Sequence, residues 1–263
     1  MLELKSLYKT YDANLPTQTD LFKGLSYSVR KGDFISLVGS NGSGKTTLLN
    51  IIAGTLGCDR GEVMLHGRNV TKLREHVRAQ HIARVFQDPK LGTCPTMTVA
   101  ENLSMAANKG NSYGLKICLK KKDRHKFKDA LKQLEMGLED KFDVLAGQLS
   151  GGQRQALALV MATIASPDLL LLDEHTAALD PRTSAHIMAL TEKIVTEQKI
   201  TTLMVTHNLG YALDFGNRLT MLHAGKVLFD VIDEQKKQQT VDGLIKLFHQ
   251  AQDGVISDTL VFN

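Results

Sequence analysis

The chain has 263 residues, 43% hydrophobic and 23% charged, with a formal net charge of +4. These values are close to globular averages and exclude a low-complexity or disordered chain, and so mild a positive charge gives no ground for a nucleic-acid partner. Three scattered cysteines, Cys58, Cys94 and Cys118, form no C-x-x-C pair and point to reduced thiols in a cytosolic setting.

The start, "MLELKSLYKTY", has no apolar core of a secretory signal. "LELKSLY" reads as a strand, and "LSYSVRKGD" as another with Leu25, Tyr27 and Val29 on one face. "FISLV" is a short buried strand, and "TTLLNIIAG" is a helix ending near Gly54. "GEVMLHG" (61–67) and "IARVFQD" (82–88) are further strands. From residue 89 the character turns helical. "TVAE" (98–101) is a capping box. A basic stretch over 109–132 carries a helix from about 123 to 134, and a third helix begins at Gly151 and stops before Pro167. The most apolar region, 156–173, is broken by Ser166, Pro167 and Asp168, and neither half approaches the ~20 residues that span a bilayer. Asp180-Pro181 is an N-cap with proline behind it, opening a helix to about Gln198. "TTLMVTH" (201–207) is a strand, 218–230 a hairpin turning at Ala224-Gly225, and 241–251 a last helix.

Near-continuous apolar strands alternating with helices predict an α/β fold. The expected division is a single domain over 1–263. In it, 1–88 and 166–263 form an α/β core with a small antiparallel β subdomain, and about 89–165 form a helical insertion.

Between the strand 34–38 and the helix that follows lies "GSNGSGKT". The spacing of Gly39, Gly44, Lys45 and Thr46 fits the G-x-x-x-x-G-K-[ST] phosphate loop. Glycine lets the backbone approach a ligand, a helix N-terminus favours an anion, Lys45 can reach the β and γ phosphates, and the Thr46 hydroxyl can serve Mg²⁺. "LLLLDE" delivers two acids at the end of a buried strand, where Asp173 can hold Mg²⁺ and Glu174 can polarise an attacking water. "LSGGQ" places Ser150, Gly151 and Gly152 at a second helix start, and so predicts a second anion site. Two phosphate loops with one lysine make sense if two chains pair head to tail, each nucleotide lying between Lys45 of one and Ser150 of the other.

These motifs, in this order, resemble the ATP-binding subunits of ABC transporters, over nearly the whole chain to about Asp230. "GSNGSGKT" corresponds to the Walker A loop, "LLLLDE" to Walker B and "LSGGQ" to the signature. The resemblance implies that the α/β core is a phosphate-loop NTPase core (RecA-like), with ATP and Mg²⁺ as cofactors. It assigns nucleotide binding to Gly39, Ser40, Asn41, Gly42, Ser43, Gly44, Lys45, Thr46 and Thr47, and to Ser150, Gly151, Gly152 and Gln153 of the signature. It makes Gln87 in "VFQD" the Q-loop glutamine, a metal ligand with Thr46 and Asp173. It makes Asp180 in "AALD" a D-loop residue and Tyr11 in "KTYD" the aromatic that stacks on adenine. His207 in "VTHN", which alone would read as structural, becomes the switch histidine, catalytic with Glu174 and Lys45. Many members have proline or alanine where this chain has His175.

"LSGGQ" argues against a kinase or GTPase, as does "NKGN" (108–111), which lacks the aspartate of a guanine-reading N-K-x-D. Lys45 and Ser150 are 105 residues apart, too close to admit the long coiled coils of DNA-maintenance relatives. The expected activity is ATP hydrolysis that powers a separate transmembrane permease, importing a small solute such as an amino acid. The expected partners are a second copy or a paralogous ATPase subunit, the permease and a solute-binding protein, with no nucleic acid. The expected location is the cytoplasmic face of the cell membrane. The alternative is a soluble ATPase of the same type outside transport, for example in iron–sulfur assembly.

Overall fold

The computed structural model describes residues 1–110 and 121–252. Cys118 and most of the basic stretch 110–128 lie outside the described residues. In chain order the elements are β1 (Leu2–Tyr11), β2 (Thr19–Val29), β3 (Phe34–Val38), α1 (Lys45–Ala53), β4 (Arg60–Leu65), β5 (Arg68–Asn69), α2 (Glu75–Arg78), β6 (Ile82–Val85), α3 (Val99–Ala107), α4 (Lys121–Lys132), α5 (Gly151–Thr163), β7 (Leu169–Asp173), α6 (Pro181–Gln198), β8 (Thr201–Val205), α7 (Leu209–Asp214), β9 (Arg218–His223), β10 (Lys226–Ile232), α8 (Glu234–Lys237) and α9 (Val241–Gln252). They fall into two compact units, Met1–Arg78 with Thr201–Asn263, and Ala79–Ile200.

The first unit holds an antiparallel sheet in the order β2-β1-β4-β5. Leu25, Tyr27 and Val29 are all buried on one face, as the alternation predicts, opposite Leu7, Leu4 and Leu2 of β1. In the same unit β3 lies between β8 and β9 and is parallel to both. All five residues of β3 are buried, which suits an apolar run broken only by Ser36, whose hydroxyl donates to the Phe215 carbonyl at 3.0 Å. β9 and β10 form the expected hairpin, longer than predicted because it continues to Ile232. Its turn residues Ala224 and Gly225 both have positive φ, 45° and 76°, which suits a tight two-residue connection. α7 and α9 supply Ala212 and Leu244 to an apolar cluster with Leu219, Met221, Phe229 and Val231. Arg218 sits between Asp33 (3.0 Å) and Asp230 (2.5 Å) and also donates to the Ser28 carbonyl, tying β2 to the hairpin.

In the second unit β6 and β7 pair in parallel, from Ile82 opposite Leu169 to Val85 opposite Leu172. The Thr98–Glu101 capping box opens α3 as predicted. Several boundaries across the two units differ from the sequence expectation, β1 and β2 among them, which run to Tyr11 and from Thr19 to Val29. β4 stops at Leu65 because His66 and Gly67 take positive φ and turn the chain into β5. β6 stops at Val85, since Asp88 caps a 3-10 turn over Pro89–Leu91 through the Lys90 amide at 2.9 Å. α4 spans Lys121–Lys132, two residues earlier at each end than predicted. Among the described residues no helix is long and apolar enough to cross a membrane.

α1 ends at Gly54, whose φ of 86° gives the left-handed cap. The last carbonyls are met by Arg78, which is 3% exposed and donates to Ile51 (2.7 Å), Ile52 (3.0 Å), Thr71 (2.7 Å) and Leu73 (3.1 Å). A guanidinium at a helix carboxyl end also complements the dipole. Arg78→Ala should therefore lower the unfolding free energy by about 3 kcal/mol, because several buried carbonyls lose a charged donor together. Arg78→Lys should recover less than half of that, since an ammonium cannot span four carbonyls. Urea unfolding of the full chain measures both. A loss under about 0.5 kcal/mol for Arg78→Ala would remove the capping role.

Candidate active site

In the first unit the loop 39–44 leaves the carboxyl end of β3. A Cβ on Gly39 would lie 2.3 Å from the Leu222 carbonyl oxygen and 2.6 Å from Ser43 Oγ, so only glycine fits. Gly44 has φ 103°, with Phe22 where a side chain would go. The Gly225 amide donates to the Ser43 carbonyl at 3.1 Å and braces the loop on the β9–β10 turn. α1 starts at Lys45 with no side-chain cap and no acid in its first turn, which leaves its first amides to an outside acceptor. Lys45 is 6% exposed, and its ammonium donates to the carbonyls of Gly39 (2.7 Å) and Ser40 (3.0 Å). Ser43 Oγ is buried without a hydrogen-bond partner. An uncapped helix start, an orphaned hydroxyl and a buried ammonium on one loop fit a polyphosphate anion. Ser40, Asn41, Gly42, Thr46 and Thr47 are partly or fully exposed along the same loop and first turn.

Two further sequence candidates lie in the same unit, Tyr11 in contact with α1 and His207 just past the end of the strand beside β3. The Tyr11 hydroxyl shares a hydrogen bond with Thr47 Oγ1 on α1 at 3.1 Å, and the ring is 39% exposed. Tyr8, three residues earlier on β1, turns its hydroxyl over Gly24 of β2 instead. β3 and β8 are parallel and in register, Leu37 opposite Val205, so the loops that follow them leave the sheet at one edge. Thr206 N donates to the Leu37 carbonyl at 3.3 Å, the Thr206 hydroxyl accepts from the Asn208 amide, and Asn208 caps α7. The exposed His207 stands between these two fixed residues.

The second unit carries the acids and the second loop. Asp173 ends β7, and its Oδ2 lies 2.5 Å from Arg84 Nη2 on β6; both side chains are 12% exposed. The Arg84 guanidinium lies 4.8 Å above the Phe86 ring, and Gln87 follows, exposed. Gln155 of α5 donates to the Phe86 carbonyl at 3.3 Å. Glu174 is half-buried in the left-handed region, φ 48°. Asp180 caps α6 by accepting from the Thr183 amide at 3.0 Å, and hydrogen bonds from the Thr183 hydroxyl and then this amide hold its carboxyl below the usual carboxylate range.

At the second loop the structure gives the residues uses that sequence reading missed. Ser150 caps α5 by accepting from the Gln153 amide at 3.3 Å, in a reciprocal capping box. The Gln153 side chain accepts from Lys141 (2.9 Å) and donates to the Met136 carbonyl (3.1 Å). A Cβ on Gly152 would lie 2.5 Å from Thr183 Cγ2 of α6, so this glycine is required by helix packing, whereas Gly151 has room. Arg84 was also missed, because an arginine inside an apolar strand gives no hint of which acid it will meet. Among the described residues no three His, Cys, Asp or Glu side chains gather around a common point, so a divalent cation here would owe most of its ligands to phosphate and water.

The sequence profile described as ABC transporter matches residues 22–177. The chain belongs to the ABC transporter family. It is 49% identical over 251 residues to a protein of Clostridioides difficile named tyrosine transport ATP-binding protein, covering 95% of this chain and all of that one. It is 35% identical over 218 residues to the thiamine import ATP-binding protein of Photobacterium profundum, covering 83% and 86%. Among solved structures, an ATP-binding cassette described as a dimer in a post-hydrolysis state with ADP and Pi superposes with a TM-score of 0.74 at 31% identity, covering 88% of this chain and 98% of that one. The chain is an ATP-hydrolysing subunit of an ABC transporter, of importer type.

The close approach of α5 to α6 in this ABC subunit gives a direct test. Gly152→Ala should cost about 1–3 kcal/mol of stability through overpacking against Thr183. Gly152→Ala with Thr183→Ser, which removes Cγ2, should regain most of it. A Gly152→Ala chain as stable as the parent in thermal unfolding would show that the glycine is not required by packing.

Proposed function

We propose that the phosphates of ATP bind on residues 39–47, with Lys45 on the β and γ phosphates, and that the Tyr11 ring stacks on adenine. Thr46, Gln87 and Asp173 would offer oxygen donors to Mg²⁺, which when bound would supply charge neutralisation for the phosphoryl group. Glu174 activates the attacking water, and His207 steadies the γ-phosphate. The signature residues Ser150, Gly151, Gly152 and Gln153, on the helical part 89–165, and Asp180 act on the nucleotide of a second copy or a paralogous subunit. ATP therefore closes a head-to-tail dimer. The observation that carries this reading is the uncapped start of α1 beneath a buried lysine on one glycine loop.

The same reading places the chain on the cytoplasmic face of a membrane, under a permease served by a solute-binding protein. Exposed apolar side chains at Leu91 (70%), Met97 and Leu145 near the Gln87 segment suit a permease contact. The solute is an amino acid; the likeness to the C. difficile tyrosine subunit over that protein's full length supports this class. Uptake of labelled tyrosine, with other amino acids as competitors, by cells with and without the chain and its permease decides it. Uptake that is unaffected by loss of the chain, for every amino acid tried, would reject the class.

Removing a positioned general base costs about 10²–10⁴ in rate while binding survives. Glu174→Gln should accordingly bind ATP normally, hydrolyse it slowly and elute as an ATP-dependent dimer. Lys45→Ala should lose ATP binding, because it removes a charge that pairs with phosphate. Near-normal hydrolysis by Glu174→Gln would reject its role.

A stacked ring contributes about 0.5–1.5 kcal/mol, so Tyr11→Ala should weaken ATP binding roughly three- to tenfold. Tyr8→Ala should leave it within about twofold, since its ring is spent on Gly24. Titration with a fluorescent ATP analogue measures both, and the reverse ranking would move the role to Tyr8.

A further inference from the structure

Glu174 stands at an awkward point. Its φ of 48° lies in the left-handed region, where a residue with a Cβ is disfavoured by about 1–2 kcal/mol. Such a conformation persists only when its surroundings enforce it. From Glu174 to Leu179 the chain is in neither strand nor helix. Two backbone turns shape it, Ala177 N to the Glu174 carbonyl (2.9 Å) and Leu179 N to the Thr176 carbonyl (3.2 Å).

Side chains then fasten this turn to α6. Ser184 Oγ donates to the Thr176 carbonyl at 3.0 Å. His175 Nε2 lies 3.1 Å from Thr191 Oγ1, almost three helical turns further along than the Asp180 cap. The direction of this bond follows from proton counting. A threonine hydroxyl has one proton, and Thr191 Oγ1 is 2.8 Å from the Ile187 carbonyl, which can only accept. The hydroxyl proton is committed there, so His175 Nε2–H donates to the Thr191 oxygen. The ring is 2% exposed, so the Thr191 oxygen, and not bulk water, is the partner of Nε2–H. An alanine at 175 could not reach Thr191.

We propose that His175 is a positioning residue, whose hydrogen bond to Thr191 of α6 holds the turn on which Glu174 stands and so fixes the direction of the Glu174 carboxylate. This rests on the reading of Glu174 as the group that activates water. His175 itself touches neither nucleotide nor water. Its effect is orientation, and a misplacement of about 1 Å in a catalytic group costs on the order of a hundredfold in rate.

The test uses the full chain carrying His175→Ala, His175→Gln, Thr191→Val or Thr191→Ser, with ATP affinity and single-turnover hydrolysis measured on each. His175→Ala and Thr191→Val should each slow hydrolysis about ten- to a hundredfold. ATP affinity should stay within about twofold for both. Combining the two should add little, because they break one bond. Thr191→Ser keeps the hydroxyl and should hydrolyse at the parental rate. His175→Gln carries an amide nitrogen near the position of Nε2 and should recover most of the rate. In the nucleotide-free parent, long-range ¹H–¹⁵N spectra should show the His175 ring protonated at Nε2, a readout independent of turnover. The proposal is overturned by a ring protonated at Nδ1, by unimpaired hydrolysis in Thr191→Val, or by affinity and rate falling together in His175→Ala and staying low in His175→Gln. Slow hydrolysis by Glu174→Gln beside an unimpaired His175→Ala would reject the positioning role alone. Near-normal hydrolysis by Glu174→Gln would reject the reading of Glu174 on which it rests.

Discussion

α1 is held by opposite means at its two ends, and the first unit is organised around that difference. At the carboxyl end Arg78 covers the closing carbonyls from inside the protein. At the amino end Gly44 offers no side chain, and the first turn contains no acid. The positive end of a helix dipole is left facing a loop of glycines. What could close it is kept away by backbone packing: Gly39 lies against the Leu222 carbonyl, and the Gly225 amide takes the Ser43 carbonyl. The hairpin β9–β10, far along the chain, is thus part of the loop's frame.

In the second unit one helix performs the matching task. α6 receives the Asp180 cap, the Ser184 bond to Thr176 and the Thr191 bond from His175, and its Thr183 methyl sets the clearance for Gly152 at the start of α5. The turn that carries Glu174 and the loop that carries Ser150 are separate in sequence, yet they are referred to the same 18-residue rod. Ordering them against a regular element is what allows an irregular segment to keep a carboxylate in a disfavoured backbone conformation.

The parts of this fold that were legible in the sequence are those with a local physical cause. "FISLV" and "LLLLD" read as buried strands because both faces are covered, and the turn at Ala224-Gly225 reads as such because its backbone needs positive φ. The caps at Thr98 and Asp180 were visible for the same reason. The short helices α2, α7 and α8 were not, since four to six residues carry too little periodicity to register. Site residues divide in the same way. Lys45 and its glycines are set by spacing along the chain. The partners of Asp173 and His175, by contrast, depend on which strand or helix comes alongside, and a single sequence contains no record of that. Gly152 shows a subtler limit: a glycine in a phosphate-loop pattern was read as serving a ligand, while its neighbour Thr183 already demands it.

The Arg84–Asp173 pair has a bearing on how genetic data for this chain should be interpreted. Two opposite charges, each 12% exposed, neutralise one another at the end of a buried strand. Removing one partner of such a pair typically costs about 3–5 kcal/mol, because the remaining charge is stranded. That is a large share of the total stability of an ordinary domain. A cell that carries an Arg84 substitution would hold less folded subunit, so growth-based screens would score position 84 as essential through protein abundance. Turnover per folded molecule, the quantity that reflects chemistry, would have to be normalised out of such a screen before the arginine could be credited with anything beyond balancing an aspartate.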